Sequence, residues 1–437
     1  MYQSALPVPR SHHIAEISRE LVGREVSLVG WVYRKRVHGG LVFIILRDGS
    51  SATIQCTIHR DRVPPEDFKQ AEKTLIEAAV WVQGVVAEDP RAPGGLEVRT
   101  TRFRELVPAE PWPLTEDAAK SVGFLYDKRH LWLRSLRVQT VLRARAEFCK
   151  AAREFFEARG FVEIHAPILI TTACEGGATL FPVEYFDREA YLTQSAQLYE
   201  EAAIAAFEKV YTIGPSFRAE KSRTRKHLTE FWQIEAEVAY ATMEDIMRLQ
   251  EDLLSHLCNH IAQRFGDVLG ERADKIRVKP PFPKITYDEA VEIAQRKGYD
   301  VSWGEDFGAE AERAIAEEFE VPFFIYDYPL VARSFYCAWR EDRPEIALSC
   351  DLWAPEGFGE IATGGERIAD PEVLRRRIIE LGLPLEQYEW YIEIRRYGLP
   401  RHAGFGIGVE RTLRWMFKLD HVRMVALFPR TPTRVEP

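Results

Sequence analysis

A chain of 437 residues is long enough for two or three domains with a substantial core. Apolar residues make up 46% and charged residues 29%, which excludes wholesale disorder, and no stretch approaches the roughly 18 apolar residues of a membrane span. The net charge of −9 argues against a generally basic nucleic-acid coat. Residues 1–60, however, carry eight Lys and Arg against four Asp and Glu, a local excess of +4 that leaves a basic RNA-reading end open. Cys56, Cys149, Cys174, Cys258, Cys337 and Cys350 are scattered with no CxxC pair, which speaks against a zinc ribbon or disulfide framework and fits a reducing cytoplasm. The opening MYQSALPVPRSHHIAE has no apolar core, so no secretory signal is expected.

Residues 1–107 read as a small β domain. Glu25 to Val37, Leu41 to Arg47, Ser51 to His59, Ala79 to Ala87 and Leu96 to Leu106 are short runs rich in Val, Ile and Trp, separated at Gly39-Gly40, Asp48-Gly49 and Gly94-Gly95. Asp67 to Ala78 has a helical pattern. Five strands and one helix suit an OB-fold barrel, a frequent reader of single-stranded nucleic acid. Residues 108–130, with Pro108, Pro111 and Pro113, are expected to be the interdomain linker, and 131–437 a second domain.

In that domain Val138, Val141, Ala144, Phe148, Ala152 and Phe155 recur at helical spacing, and Gly160 follows as a left-handed stop. FVEIHAPILI reads as a strand carrying Pro167, which belongs on a sheet edge. Thr172 to Phe181 is a Gly-Gly loop around Glu175. YLTQSAQLYEEAA runs from a strand into a helix and carries Gln197, Glu200 and Glu201. Thr242 to Phe265 is an amphipathic helix with a capping box from Thr242 to Asp245. Residues 266–345 hold further helices and strands, FFIYDYP the clearest, and no chemistry that can be named. His59-Arg60-Asp61 and Asp306-Phe307-Gly308 spell kinase triplets, but Glu66 stands where the catalytic loop needs Asn, and no glycine-rich loop or β3 lysine precedes them.

Three stretches carry chemistry. Phe217 to Glu237, FRAEKSRTRKHLTEFWQIEAE, packs cations beside an aromatic pair. Guanidiniums grip phosphate oxygens and an aromatic face stacks a base, so a nucleotide site and a solvated basic turn are both open. Asp351 and Glu360 bracket a Pro-Glu-Gly turn, a carboxylate pair suited to Mg²⁺. GFGIGVER (404–411) is a glycine-rich run ending in Arg411; its spacing does not match the dinucleotide GxGxxG. FRAExxxTRxHLxEFW and GFGIGVER together resemble motifs 2 and 3 of class II aminoacyl-tRNA synthetases, in the subclass that handles aspartate, asparagine and lysine. GWVxxxR, GGLxFIxLRD, EIxxGGxR and the closing FPR follow the family's order.

The resemblance implies an α+β fold: an N-terminal OB-fold anticodon-binding barrel plus a class II catalytic domain with an antiparallel sheet flanked by helices. It implies ATP-dependent ligation of an amino acid to tRNA through an adenylate, with Mg²⁺ as cofactor, and a homodimer built on motif 1, the helix before Gly160 and the strand after it. By likeness, Arg218 stabilises the α-phosphate, Arg411 and His227 hold the γ-phosphate end, Phe231 and Arg411 sandwich adenine, and Glu220 accepts its amino hydrogens. Glu360 with Thr363 is the principal metal site and Asp351 a second ligand. Glu175 and Gln197 hold the substrate's ammonium and carboxylate ends. Arg367, with Glu201 or Glu235, reads the side chain. Aspartyl enzymes of the subclass carry a lysine where this chain has Glu200, so asparagine is the expected substrate. An aspartyl enzyme charging one or both tRNAs, and a silent tRNA-binding paralogue, are the alternatives. In the barrel, Phe43 would stack on an anticodon base, Gln55 would hydrogen-bond one, and Arg34, Lys35, Arg36 and Arg47 would meet phosphates or bases; the competing expectation is that Phe43 fills the barrel.

Overall fold

The computed structural model describes residues 8–174, 179–222 and 224–436. The chain divides into two compact units, residues 1–140 and 141–437. In the first, β1 (Glu25–His38), β2 (Leu41–Arg47), β3 (Thr53–His59), β4 (Ala79–Glu88) and β5 (Leu96–Val107) close into a barrel in the order β1-β2-β3-β5-β4. Alternation builds it: Val42, Ile44 and Leu46 of β2 and Ile54, Cys56 and Ile58 of β3 are buried, and the residues between them face out. α1 (Pro65–Lys73) is shorter than the sequence pattern. The chain leaves the helix at Thr74 and turns through Glu77 at positive φ to deliver Ala79 to β4, and Leu75 and Ile76 remain exposed. Two short helices follow, α2 (Val122–Asp127) and α3 (Arg129–Trp132), so the expected linker is partly helical.

α4 (Leu136–Glu157) begins in the first unit and runs on into the second; its apolar stripe is buried from Val138 to Phe156, and Gly160 then takes φ +74. The expected strand over FVEIHAPILI is instead two short ones, β6 (Val162–Glu163) and β7 (Leu169–Ile170), in different sheets, because Pro167 has no N–H to continue a ladder. β7, β8 (Pro182–Tyr185) and β9 (Arg188–Leu192) form a small sheet. Then come α5 (Gln197–Phe207), β10 (Lys209–Phe217), β11 (Glu230–Ala239) and α6 (Met243–Arg264), the last with the expected Thr242–Asp245 capping box. Residues 266–345 supply α7 (Gly266–Leu269), α8 (Arg272–Lys275), β12 (Lys284–Thr286), α9 (Tyr287–Arg296), α10 (Ala309–Ala316) and β13 (Phe323–Tyr326). β14 (Ser349–Ala354), β15 (Gly359–Glu366), α11 (Pro371–Glu380), α12 (Leu385–Arg396), β16 (His402–Gly408) and α13 (Val409–Met416) complete the unit.

The main sheet has eight strands in the order β12-β13-β14-β15-β16-β11-β10-β6. Six pair antiparallel, and β12 and β6 add parallel at the two edges. Successive residues of a strand face opposite sides, so every second residue of β11, β14 and β15 lines the same sheet face. That face is the floor of the site. Among the described residues no helix is long and apolar enough to cross a membrane.

Candidate active site

A cavity of about 520 Å³ opens over this floor. β11 shows the geometry most simply: Phe231, Gln233, Glu235 and Glu237, spaced by two, all line it. Arg218 and Glu220 enter from the end of β10, Asp351 from β14, Glu360 and Thr363 from β15, and Arg411 from the start of α13. Residues separated by almost two hundred positions therefore share one cavity.

The cationic end is built around Arg218, His227 and Arg411. The Arg218 guanidinium lies 5.4 Å from the Phe231 ring centroid. Arg411 Nη1 donates to Glu360 Oε1 at 2.7 Å. Burial raises the Glu360 carboxyl, but Arg411, Lys226 and Arg333 outweigh it and bring it down to about 2, so Glu360 is an anion. Burial and the neighbouring Arg411 and Lys226 depress His227 to about 3, so it stands in the pocket as neutral imidazole, with the Ser222 and Thr224 hydroxyls 3.0 and 2.5 Å from Nδ1. Asp351 Oδ2 accepts from Arg333 Nη2 at 2.7 Å, while its Oδ1 is buried without a partner. Burial and the charge of Glu360 raise Asp351 against the pull of Arg333. An orphaned carboxylate oxygen, an ionised Glu360 and the exposed Thr363 hydroxyl are the hard oxygen donors that Mg²⁺ prefers, so the residues fit that ion.

The opposite end is acidic. Arg367, just beyond β15, donates from Nε and Nη2 to the two oxygens of Glu237 at 3.1 and 3.0 Å. Glu235 accepts from the Ser195 hydroxyl and, at 3.0 Å, from the Ala196 N–H. Gln197 lines the cavity and donates to Glu201 at 3.0 Å. Glu201 itself lies behind the wall, fully buried. Its other oxygen accepts from Tyr391, Arg395 and His402 at 2.6, 2.6 and 2.9 Å. Burial raises Glu201, but Arg395 and His402 reverse this and hold it ionised. Arg367 thus takes Glu237 as its bidentate partner rather than Glu201 or Glu235. Glu175 lies outside the described residues.

The chain matches the family described as tRNA synthetases class II (D, K and N) over residues 121–432, and the OB-fold nucleic acid binding domain over residues 26–106. It belongs to the class II tRNA synthetases of the D, K and N group. The asparagine–tRNA ligase of Thermococcus kodakarensis is 47% identical over 430 residues, 97% of this chain and 99% of the relative. That of Chloroflexus aurantiacus is 46% identical over 435 residues, 97% and 98% of the two chains. The crystal structure of asparaginyl-tRNA synthetase from Pyrococcus horikoshii complexed with asparaginyl-adenylate matches with a TM-score of 0.93 at 43% identity, covering 98% of this chain and 100% of that one.

In the barrel of this synthetase, register brings a second set of residues onto one outer face. Arg36 pairs with Phe43 and Phe43 with Thr57; Arg34 pairs with Ile45, Ile45 with Gln55, and Gln55 with Glu97. Phe43 is half-buried on the outside, so it does not fill the barrel. Lys35 and Arg47 do not join this face. Lys35, one residue out of phase with Arg34 and Arg36, donates to the Glu72 and Thr74 carbonyls. Arg47 has the phase of Phe43 and Ile45 but is buried and taken up by Glu77. Glu97, which accepts from Thr57 at 2.5 Å and Gln55 at 3.3 Å, completes the face and had no local sequence signal.

The stretch without recognisable chemistry also lines the cavity, Asp306, Glu312, Tyr328 and Arg333 among its contributions. Glu312 accepts from the Glu360 N–H at 2.9 Å and pairs with Lys226, tying α10 to β15 and to the loop after β10. Alternation along β11 would have found Glu237; nothing local marks Glu312 or Arg333.

Proposed function

We propose that this synthetase ligates asparagine to its tRNA through an asparaginyl-adenylate. The observation that carries this reading is the charge balance at the acidic end of the cavity. There the lining cation among the described residues, Arg367, is already matched by Glu237, and Glu235 adds a further carboxyl group. An aspartate side chain would enter among like charges, which costs several kcal/mol at roughly 4 Å when water is excluded. A neutral amide needs one donor and one acceptor, and an arginine beside glutamates offers both. The names of the Thermococcus and Chloroflexus relatives and the adenylate in the Pyrococcus structure agree with it.

The amino-acid carboxylate attacks the α-phosphorus of ATP and pyrophosphate leaves; the terminal ribose hydroxyl of tRNA then attacks the acyl carbon, loses its proton, and AMP leaves. Arg218 faces the α-phosphate as charge builds there; fixed donors aimed at developing charge are worth most in a water-poor site. Arg411 and neutral His227 hold the γ-phosphate end, Phe231 and Arg411 sandwich adenine, and Glu220 accepts from its amino group. Gln197 and Glu175 take the amino acid's backbone groups, and Arg367 with Glu235 its side chain. Asp351, Glu360 and Thr363 would hold Mg²⁺, which when bound offsets charge on the phosphate oxygens. Arg34, Arg36, Phe43 and Gln55 read the anticodon. We assign residues 1–107 to the anticodon domain, 108–130 to the linker and 131–437 to the catalytic domain, in a cytoplasmic homodimer. Val162, Ile168 and Leu169 of motif 1, 40–46% exposed, are the apolar surface such a dimer would cover.

ATP–pyrophosphate exchange without tRNA, run with asparagine and aspartate in parallel, is the test. Exchange with asparagine alone is expected. Exchange with aspartate alone overturns the charge argument, and exchange with neither overturns the adenylate chemistry.

A further inference from the structure

Glu200 stands apart from the other acids of the pocket. It lies on α5, 1% exposed, and lines the cavity, yet its Oε1 is buried with no hydrogen-bond partner. The Thr212 hydroxyl hydrogen-bonds the Glu200 carboxyl and Arg367 attracts it from a distance, but the other donors and cations nearby are committed elsewhere. Arg367 holds Glu237. Arg395, Tyr391 and His402 hold Glu201. The Ser195 hydroxyl and Ala196 N–H hold Glu235. An ionised carboxylate at this depth without a cation costs more than keeping its proton. Burial, then the charges of Glu235 and Glu237, push the Glu200 carboxyl well above its ordinary range.

We propose that Glu200 is a specificity-determining residue that meets the side-chain amide of the amino acid as an uncharged carboxylic acid. This deepens, and rests on, the asparagine reading above. A carboxylic acid and a primary amide each present one donor and one acceptor, so Oε1 finds a complement on the amide as either hydroxyl or carbonyl. A carboxylate substrate presents acceptors only and brings a charge beside Glu235 and Glu237. Rejection of aspartate then comes from those two ionisable neighbours and from desolvation, while Glu200 contributes affinity for the amide rather than repulsion.

Glu200→Gln is the neutral isostere and Glu200→Leu removes the polar atoms. In pyrophosphate exchange, Glu200→Gln raises the KM for asparagine only a few-fold and gains no aspartate exchange. Glu200→Leu raises it about ten- to a hundredfold, as expected when a buried amide loses a partner, with the KM for ATP little moved. The infrared difference between the wild-type protein and Glu200→Gln at neutral pH contains the carbonyl stretch of one protonated carboxyl group. The proposal is overturned if that band is missing, if Glu200→Gln opens the enzyme to aspartate, or if Glu200→Leu leaves the KM for asparagine unchanged. A wild-type protein that exchanges with aspartate and not asparagine overturns the asparagine reading as well; asparagine exchange with any of the three failures above overturns the role of Glu200 alone.

Discussion

Replacing Gly404 with alanine attacks the Arg367–Glu237 pair without touching either residue. Gly404 lies in β16 directly across from Glu237 on one side and Gly365 on the other. A Cβ built there falls 1.8 Å from Glu237 Oε2, 2.5 Å from its Cδ and 2.5 Å from the Ala236 carbonyl oxygen. Rotating Glu237 would clear the first two contacts. The third is with backbone, and β16 sits between β11 and β15 in the middle of the sheet, so neither neighbour yields freely. Displacing Glu237 leaves the Arg367 side chain, 5% exposed, without its bidentate partner. Stranding one member of a buried ion pair costs about 3–5 kcal/mol, and overpacking adds about 1–3 kcal/mol. Against a total stability of about 5–15 kcal/mol, this is a large fraction. Urea unfolding followed by tryptophan fluorescence would show a lower midpoint. Pyrophosphate exchange would show the KM for asparagine raised more than about tenfold, 1.4 kcal/mol or more, with the KM for ATP moved far less. A variant with wild-type stability and a wild-type KM for asparagine would refute the claim that Glu237 must sit where it does.

Gly359→Ala should hit the nucleotide end instead: its φ is +76, and a Cβ would lie 2.0 Å from Glu312 Oε1, the group that holds the Glu360 N–H and Lys226. Its kcat/KM for ATP should fall about ten- to a hundredfold, as misplacement of a reacting site by an ångström does, with the KM for asparagine nearly constant; equal effects on both substrates would count against Glu312 as an organiser of the ATP end. Phe43→Ala should raise the KM for tRNA about tenfold or more through lost base stacking, and leave exchange without tRNA alone; unchanged charging kinetics would remove Phe43 from the RNA face. Acid should destabilise the fold through two buried imidazoles. Burial and nearby arginines hold His227 at about 3 and His421 at about 4, while in the unfolded chain both protonate near 6.5. The unfolded state therefore binds more protons below that value, so their contribution to stability is complete above about pH 6.5 and is lost as pH falls toward 4 and then 3. Unfolding midpoints at pH 7.5, 6 and 4.5 should fall in that order, and His421→Gln should flatten the slope; an unchanged slope would mean that His421 does not titrate this way.

What could be read from the sequence, and what could not, divides by how far a residue's partners lie along the chain. The barrel was legible because strand alternation is local: once Val42, Ile44 and Leu46 point inward, Phe43 and Ile45 must point outward. The same rule corrects the expectation for Lys35, which lies one residue out of phase with Arg34 and Arg36, whereas Arg47 is in phase and is withdrawn only by its buried pairing with Glu77. Arg218, His227, Phe231, Asp351, Glu360, Arg367 and Arg411 could be named because each sits in a short string of residue types that the chemistry demands, and all seven line one cavity. Where local pattern was followed too far, local stereochemistry stopped it: Pro167 cuts a strand in two, and the positive φ of Glu77 ends the turn after a helix that looked longer.

The remainder of the site is tertiary in origin. Glu201 looks, by position, as available as Glu235, yet Tyr391, Arg395 and His402, all some two hundred residues away, consume its acceptors and take it out of the cavity. Glu312 looks like one more surface charge on an amphipathic helix. Its importance exists only because Gly359 has no side chain and Lys226 arrives from another loop. Glu200 is the sharpest case. From the sequence it is a negative charge that repels aspartate; in the fold the cations near it are engaged by other carboxylates, its Oε1 is left without a partner, and burial beside Glu235 and Glu237 favours the protonated form. A carboxyl group's protonation state is a property of its neighbours' commitments, and those are fixed by strand pairings and helix contacts that no window of sequence contains.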